Sequence, residues 1–374
     1  MQTFQPLTAS PSCQPESASY SARNVIFASV KQNGAYSFFK IVLPAVFPVA
    51  VFLFLTLSCA KPDADGAEQL TVDVTVPMRI MSFNVRSANS PDEGVYHWDR
   101  RRYPCVKMIR EIKPDIIGFQ ETVESQIVYL SSSLSGYAMY RIPKGLKQFA
   151  NVIFYNPKKF EFQEGGYRWF SLDTPTEPSP TYPDICNDGA YRTFMWVKLK
   201  LKRTDKVVWL FDTHLPWNPD KTKPNDAARK RCIEAIVRQA KKICAPEDVV
   251  FVVGDLNTAF STEVGTLSLT ALSEWMTSSY EGVGPENRDN FRSSNGFSDS
   301  APLTDGRASI DHIFYRNVEP LRYRTIVSSS YGVKLISDHY PVCFDCQSTC
   351  KVPADTDLKS VLEGYNGLEN IEWK

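Results

Sequence analysis

The sequence predicts a single layered α/β domain that occupies most of the chain. From about residue 78 onward, short apolar runs alternate with segments whose apolar residues recur at helical spacing. Residues 249–253 (VVFVV) form a continuous apolar run, which is typical of a strand buried on both faces. No break in composition and no fixed-period repeat divides residues 78–346. Mixed strands and helices without such a break indicate one domain of stacked layers.

The predicted elements follow in order along the domain. Strands are expected over residues 78–85, 115–119, 151–155, 196–201, 207–213, 249–253, 309–315, 324–328 and 340–344. Helices are expected over residues 101–112, 125–134 and 226–244, where apolar residues recur three or four positions apart. The proline-rich stretch 170–190 has no such periodicity and predicts a long loop, either a functional rim or a surface insertion.

The composition is that of an ordinary globular protein without a strong electrostatic field. Hydrophobic residues make up 43% and charged residues 22% of the 374 residues, so a sizeable core can form. The 42 basic and 42 acidic residues cancel. Such a balance argues against a strong non-specific DNA binder, which would need a basic surface.

The cysteines do not predict a disulfide scaffold. Nine are spread over the chain, seven of them beyond residue 78, which is too few for a fold held together by bridges. Cys343, Cys346 and Cys350 have a spacing that could suit zinc or a local disulfide, but no nearby histidine completes a zinc set. We therefore expect unlinked thiols.

The N-terminal region carries the features of an export signal. Residues 41–58 form an apolar run that follows Lys31 and Lys40 and ends at Cys59. A positive segment, a short apolar stretch and small residues at the cut are typical of a secretory signal. The run contains two prolines and is shorter than the roughly 20 residues of a spanning helix, although an uncleaved membrane anchor is the alternative.

The segment 57–59 (LSC) resembles a bacterial lipoprotein signal, in which the cysteine is lipidated and becomes the first residue. That resemblance implies a protein exported and anchored to a bacterial membrane, the outer membrane or cell surface, through Cys59. We expect residues 1–59 to be an N-terminal extension and signal, with the true start near Val30, and residues 60–77 to be a tether. Residues 347–374 are expected to form a C-terminal tail, with a helical stretch near residues 358–362.

Polar residues able to bind a metal or move a proton follow or interrupt five of the predicted strands and directly precede the last one. They are Asn84, Glu121, His214, Asp255 with Asn257, Asp311, and Asp338 with His339. Three of the four histidines lie in these places, His312 included. Each residue alone is weak support for a site. Because strand ends on one edge of a sheet converge, the set predicts a single polar site.

The segments Phe83-Asn84, Gln120-Glu121, Thr213-His214, Gly254-Asp255-Leu256-Asn257, Ile310-Asp311-His312 and Ser337-Asp338-His339 carry a further resemblance. Their order is similar to that of the endonuclease/exonuclease/phosphatase superfamily, which includes DNase I, inositol-polyphosphate phosphatases and neutral sphingomyelinases. The resemblance covers residues 78–346. It implies an α/β fold of the DNase I type, a four-layer α/β/β/α sandwich of two mixed sheets, and a phosphoesterase activity.

The resemblance also implies a metal centre. A phosphate ester resists attack because its oxygens repel an incoming nucleophile, and a hard divalent cation offsets that charge. Glu121 is the first candidate ligand, with Asn84 beside it and Asp338 completing the set. Oxygen ligands of this kind suit Mg²⁺, and Mn²⁺ is possible as well.

Acid–base roles are implied for the remaining residues. His339 is expected to be held by Asp311 and to stabilise the transition state or transfer a proton. Asp255 is expected to orient or deprotonate water, Asn257 to donate to a phosphate oxygen, and His214 to stand on the opposite flank. His312 alternates with Asp311 along a strand and is expected to pack in the interior.

Three further residues are candidates for substrate binding. Arg192 precedes a strand and could grip phosphate with two hydrogen bonds. Asn151 opens a strand at a similar level. After His214, the sequence Leu-Pro-Trp-Asn replaces the Asp-His of many relatives, and Trp217 is expected to form an aromatic wall of the pocket.

The substrate is left open between a small molecule, a lipid head group and nucleic acid, and the protein is expected to act as a monomer. Near-neutral charge and surface anchoring favour a small or lipid-linked phosphate ester. The alternatives are an extracellular nuclease and a catalytically inactive surface binding lipoprotein, although no member of the six segments is missing. A DNA-repair endonuclease is disfavoured by the export signal.

Overall fold

The computed structural model describes residues 25–32, 35–42, 70–143, 150–189, 191–217, 225–298, 300, 302–327, 329–357 and 361. Near the N-terminus, β1 (Val25–Gln32) and β2 (Ala35–Val42) pair as an antiparallel hairpin. The apolar run predicted as a signal shares its first two residues with β2, and the rest lies outside the described residues, as does Cys59. Among the described residues, no helix has both the length and the hydropathy needed to cross a membrane.

The domain contains twelve further strands and five helices among the described residues. The strands are β3 (Thr71–Asn84), β4 (Ile116–Thr122), β5 (Ala138–Arg141), β6 (Ala150–Tyr155), β7 (Phe160–Trp169), β8 (Thr193–Leu201), β9 (Val207–His214), β10 (Val249–Asp255), β11 (Thr277–Ser278), β12 (Asp311–Arg316), β13 (Glu319–Thr325) and β14 (Val342–Pro353). The helices are α1 (Trp98–Ile112), α2 (Glu124–Ser133), α3 (Asp226–Ile243), α4 (Glu263–Ser273) and α5 (Ser279–Gly282).

These strands form two mixed sheets of six strands each. The order in the first is β13-β14-β3-β4-β6-β5, and in the second it is β11-β12-β10-β9-β8-β7. In each sheet one central pair is parallel, β3 with β4 and β9 with β10, while the other pairs are antiparallel. The parallel pairs bring the carboxyl ends of four strands to one edge of the molecule.

Three apolar clusters hold the layers together. The central cluster joins the inner faces of the sheets, with Ile80 and Phe344 from the first and Val197, Phe251 and Ile313 from the second. A second cluster packs α1 and α2 on the outer face of the first sheet, and a third packs α3 and α4 on the outer face of the second. The predicted four-layer α/β/β/α sandwich is confirmed.

Both predicted boundaries of the domain are too narrow. Strand β3 starts at Thr71, and β14 continues to Pro353, with which Thr71 is paired. The predicted tether is therefore wrong for residues 71–77, and the predicted tail is wrong for residues 347–353. The physical reason is a period-two pattern that buries Val74 and Val76 in the sheet, although threonine and aspartate alternate with these valines.

The thiols are unlinked, as predicted, for the cysteines that the structure describes. Five of them are buried, among them Cys343, Cys346 and Cys350, whose side chains lie within the apolar clusters. Burial raises the pKa of Cys105 to about 12, so this thiol stays protonated and unreactive.

Candidate active site

The carboxyl ends of β3, β4, β9 and β10 surround a cavity of about 870 Å³. Among its lining residues are most of those that the sequence predicted: Glu121, Arg192, His214, Trp217, Asp255, Asn257, Asp338 and His339. Asp311 opens β12 directly opposite Asp255 in the antiparallel pair. Segments far apart in sequence therefore meet at one edge of the two sheets, as expected for strand ends.

The backbone at these strand ends takes the left-handed conformation that most side chains avoid. Arg86, Glu121 and Asn257 have φ of 59°, 61° and 49°. Gly254 has φ of 149°, and a Cβ there would lie 2.0 Å from the backbone oxygen of Thr213. Such strain costs about 1–3 kcal/mol per residue and is concentrated at functional sites, where it turns side chains toward a shared centre.

Asn84 is buried and lies between two carboxylates, to both of which it donates a hydrogen bond. Its amide nitrogen donates to Glu121 Oε1 and to Asp255 Oδ2, each at 3.0 Å. Its amide oxygen accepts from the backbone N–H of Arg86 at 3.0 Å. The second Glu121 oxygen accepts from the backbone N–H of Ser87 at 3.1 Å. Asn84 was predicted as a metal ligand, and these bonds direct its nitrogen, not its oxygen, toward the carboxylates, which orients Glu121.

Asp338 lies at the cavity next to Arg86. Arg86 Nη1 is 3.3 Å from Asp338 Oδ2, and the Ser337 hydroxyl is 3.2 Å from Asp338 Oδ1. Burial raises the pKa of Asp338, and the negative charge of Glu121 raises it further. Two carboxylates are thus held close enough to repel each other, an arrangement that a divalent cation would stabilise.

His339 and Asp311 form the hydrogen bond that the resemblance implied. His339 Nδ1 is 2.7 Å from Asp311 Oδ2, which also accepts from the Ser293 hydroxyl at 2.7 Å. Burial opposes the charged imidazole, but Asp311 and Asp255 raise the pKa of His339 well above its ordinary value. The imidazole is therefore protonated near neutral pH.

Asp255 lies between the two histidines. Its Oδ2 is 3.8 Å from His339 Nε2 and 3.5 Å from His214 Nε2. Burial and the charge of Asp311 raise the pKa of Asp255 to about 7. Asp255, Asp311 and His339 also offer atoms within 4.8 Å of one another, so this group could hold a cation if His339 gave up its proton.

His214 is buried and neutral. Burial lowers the pKa of His214 well below its ordinary value, and the positive charges of Arg192 and His339 lower it further. Asn257 Nδ2 lies 3.1 Å from His214 Nε2 and also donates to the backbone oxygen of Leu215 at 3.0 Å. Asn257 and Asp255 therefore hold the Nε2 side of the His214 ring in place at the cavity.

The three candidates for substrate binding differ in where they lie. Arg192 is buried at the cavity, with Nη2 3.3 Å from Asp188 Oδ2. Trp217 lines the cavity and is 52% exposed. Asn151 is not among the described residues that line the cavity: it is buried and hydrogen bonds Asp212 between the sheets. The prediction that Asn151 binds substrate is therefore wrong, because its position on β6 directs the side chain between the sheets.

The loop predicted over residues 170–190 reaches the site. Phe170 and Tyr182 are buried in the third apolar cluster and anchor the loop, while Asp188 and Gly189 line the cavity. Of the two alternatives predicted for this loop, a rim of the site and a surface insertion, the structure therefore has the rim. His312 is buried and bonds the backbone oxygen of Thr258 at 2.8 Å, consistent with its predicted packing role.

Several residues of the site were not predicted from the sequence. Arg86 lines the cavity and is held by Asp92 through two bonds of 3.1 Å. Ser293 supports Asp311, and the Ser337 hydroxyl donates to the backbone oxygen of Asn84 at 2.7 Å. No catalytic or binding role was predicted for any of the three, so their support of the site becomes apparent only in the folded chain.

A buried carboxyl beneath the site yields a stability prediction. Asp212 accepts from Gln120 Nε2 at 2.7 Å, and burial raises the pKa of Asp212 well above its ordinary value. The folded state therefore binds a proton more tightly than the unfolded state, and this stabilisation is lost as pH rises through the raised pKa. In urea unfolding, Asp212→Asn should gain stability relative to the natural chain as pH rises from about 4.

Asp173→Asn provides the control, since it makes the same change from carboxylate to amide at an exposed position. An Asp212→Asn curve that stays parallel to that of the natural chain at all pH values would contradict a protonated Asp212.

Comparison with known proteins agrees with this architecture. The model of the "Endonuclease/Exonuclease/phosphatase family" matches residues 81–339. No curated protein sequence matches the chain. The chain is similar in structure to an endonuclease/exonuclease/phosphatase from Bacteroides vulgatus, with a TM-score of 0.61 and 22% identity over 72% of this chain and 98% of that one.

Two further solved structures have the same fold. A mannosyl-6-phosphatase of Bacteroides thetaiotaomicron has a TM-score of 0.60 and 23% identity over 72% of this chain and 99% of that one. TDP2 of D. rerio, complexed with a single-strand DNA product, has a TM-score of 0.55 and 17% identity over 72% and 98%. At such identities the likeness concerns the fold alone.

Proposed function

This chain belongs to the endonuclease/exonuclease/phosphatase family, whose members are phosphoesterases, and we propose that it hydrolyses a phosphate ester by attack of water with the help of a divalent cation. One observation carries the proposal: Glu121, Asp255, Asp338 and His339, from three segments that are separate in sequence, line a single cavity. Carboxylates and a charged imidazole around one hollow are the groups that phosphate hydrolysis needs.

Glu121 and Asp338 would hold the cation, with Asn84 orienting Glu121. The mutual repulsion of the two carboxylates and their position at the cavity support this choice. Their oxygens suit Mg²⁺, and Mn²⁺ is an alternative. Bound there, the cation would offset the charge of the phosphate oxygens and polarise the bond to be broken.

The protein's own residues provide the remaining steps. Asp311 accepts from His339 Nδ1–H and so turns Nε2–H toward the cavity, where it can donate to a phosphate oxygen or to the leaving oxygen. Asp255 orients a water molecule and accepts its proton. Asn257 either keeps His214 in place or exchanges that bond for one to a phosphate oxygen.

The lining of the cavity favours a compact substrate. Among the described lining residues, Arg86 and Arg192 are the cationic side chains besides His339, and there is no lysine. Long DNA would need a basic groove that follows its backbone. Trp217 offers an exposed aromatic face against which a sugar or lipid head group could pack. We therefore favour a small or lipid-linked phosphate ester, with nucleic acid as the alternative.

An assay of the purified protein tests the proposed function. Turnover of bis-p-nitrophenyl phosphate, p-nitrophenyl phosphate, plasmid DNA and sphingomyelin is measured with Mg²⁺ and with EDTA. We expect hydrolysis of at least one ester that EDTA abolishes and that added Mg²⁺ or Mn²⁺ restores. Binding of inorganic phosphate without turnover of any ester would instead support an inactive binding protein on the same fold.

We further propose that the protein acts outside the cytoplasm as a monomer, anchored to a bacterial membrane through lipidated Cys59. The apolar run before Cys59 supports export, and all residues of the site come from one chain. Mass spectrometry of the natural product should find a mature N-terminus at Cys59 that carries acyl chains. A natural product that retains residues 1–29, or that starts at Ala60 without lipid, would contradict the anchor.

A further inference from the structure

Arg101 is a fully buried arginine whose hydrogen bonds go mainly to backbone oxygens. It lies on α1, behind the cavity, with 0% of its surface exposed. Its Nη1 donates to the backbone oxygens of Val85 and Ile336, each at 2.8 Å. Its Nε donates to the oxygen of Tyr96 and its Nη2 to that of Arg86 at 3.3 Å. Arg101 thus joins segments that are distant in sequence.

The segments it joins are two of those that carry the site. Val85 and Arg86 directly follow Asn84, and Ile336 directly precedes Ser337 and Asp338. The ladder between β3 and β14 ends at the pair Ser82 and Val342, before either segment begins. Beyond that point the sheet cannot fix their separation. The Arg101 guanidinium spans the gap with two bonds from a single nitrogen.

A second side chain holds one of these segments from the neighbouring helix. Gln126, on α2, is buried. Its Oε1 accepts from the backbone N–H groups of Ala88 and Val123, at 3.0 and 3.1 Å, and its Nε2 donates to Arg86 at 3.0 Å. The segment after β3 is therefore fixed to the segment before β14. It is also fixed to Val123, which directly follows β4, the strand that carries Glu121.

Packing alone does not require a charge at position 101. Trp98 and Phe297 flank the guanidinium, with their ring centroids 5.5 and 5.3 Å away, and Asp92 is 3.9 Å from it. An aliphatic side chain could pack against these two rings without the desolvation that a buried charge costs, but it would leave the four backbone oxygens without this donor. What the planar guanidinium adds is several donors in a fixed geometry.

We infer that Arg101, together with Gln126, is a positioning residue that sets the distance between the Glu121 and Asp338 sides of the site. The expected effect of Arg101 on turnover rests on the proposed function. The expected effect on cation binding can be measured without any turnover. A displacement of about 1 Å can lower a rate by about 10²-fold, so loss of this link should act on chemistry as well as on stability.

The test compares Arg101→Lys and Arg101→Met with a matched control. Arg79, on β3, is also buried, donates to Asp345 and to the backbone oxygen of Ile112, and is not among the described residues that line the cavity. Arg79→Lys and Arg79→Met should lower Tm as the Arg101 variants do. Steady-state kinetics and calorimetric titration with Mn²⁺ are measured for all four variants well below their Tm.

We expect the Arg101 variants to lower kcat by about 10-fold or more, to weaken Mn²⁺ binding, and to change KM less than kcat. The Arg79 variants should keep kcat and Mn²⁺ affinity within about two-fold. Equal effects of the two sets, or an Arg101 variant that loses only Tm, would overturn the inference.

If neither Arg101 variant folds, Gln126→Met takes their place, because it removes the bonds to the same segment without burying a new charge. It should weaken Mn²⁺ binding and lower kcat in the same way, and unchanged values would overturn the inference. A natural protein that binds Mn²⁺ but hydrolyses none of the esters would refute the proposed function, while the Mn²⁺ affinities of the variants would still decide the role of Arg101.

Discussion

His339→Ala is expected to lower kcat for phosphate ester hydrolysis by at least about 10²-fold, since that is what loss of a positioned acid–base group commonly costs. The imidazole lies at the cavity, is held by Asp311 at 2.7 Å and carries a positive charge near neutral pH. Alanine removes both the proton donor and the charge that faces the phosphate. The rate is measured at saturating substrate and Mg²⁺, and circular dichroism verifies the fold.

His97→Ala is the matched control. His97 is half exposed at the N-terminus of α1, where its ring accepts from the backbone N–H of Asp99, and it does not line the cavity. Its replacement should leave kcat within about two-fold, since surface substitutions rarely act on chemistry. An His339→Ala variant with a near-natural rate would remove His339 from the mechanism.

Glu121→Ala should also lower turnover by at least about 10²-fold, but through the cation. Glu121 is held in a left-handed conformation with both oxygens fixed, by Asn84 and by the backbone of Ser87. Loss of this carboxylate should raise the Mg²⁺ concentration needed for half-maximal rate. Rates are measured over a Mg²⁺ titration, so that a weaker cation site is distinguished from slower chemistry.

Glu124→Gln, three residues further along, is the control for this variant. Glu124 is 40% exposed at the start of α2, where it pairs with Arg141 at 2.7 Å. Its loss should affect neither rate nor Mg²⁺ requirement, because exposed ion pairs contribute little. If Glu121→Ala kept the natural Mg²⁺ dependence, the ligand would have to be sought in the group of Asp255, Asp311 and His339.

The parts of the fold that the sequence predicted are those with a strong periodic pattern. The run that became β10 and the amphipathic segment that became α3 were placed within two residues of their ends. Strands β5 and β7 were missed because they form the edges of their sheets, where exposed residues break the apolar alternation. The start of β3 was missed because its polar residues resembled those of a linker.

The site was predictable where a residue type and a strand end coincide, as for Glu121 and His339. Asn151 had the same appearance but faces the interior toward Asp212, since one step along a strand reverses the direction of a side chain. Arg86, Arg101 and Gln126 act through contacts with distant or irregular segments, and no spacing in the sequence predicts such contacts. The residues that hold the site in place, unlike those that line strand ends, are therefore identified only from the folded chain.

A crystal structure with Mn²⁺ and inorganic phosphate would show whether the carboxylates and His339 act on one phosphate, because anomalous scattering locates the cation and electron density the phosphate. We expect Mn²⁺ within ligand distance of a Glu121 oxygen and a phosphate that contacts both this cation and His339 Nε2. A cation and phosphate bound at separate places, or outside the cavity between Glu121 and His339, would contradict this expectation.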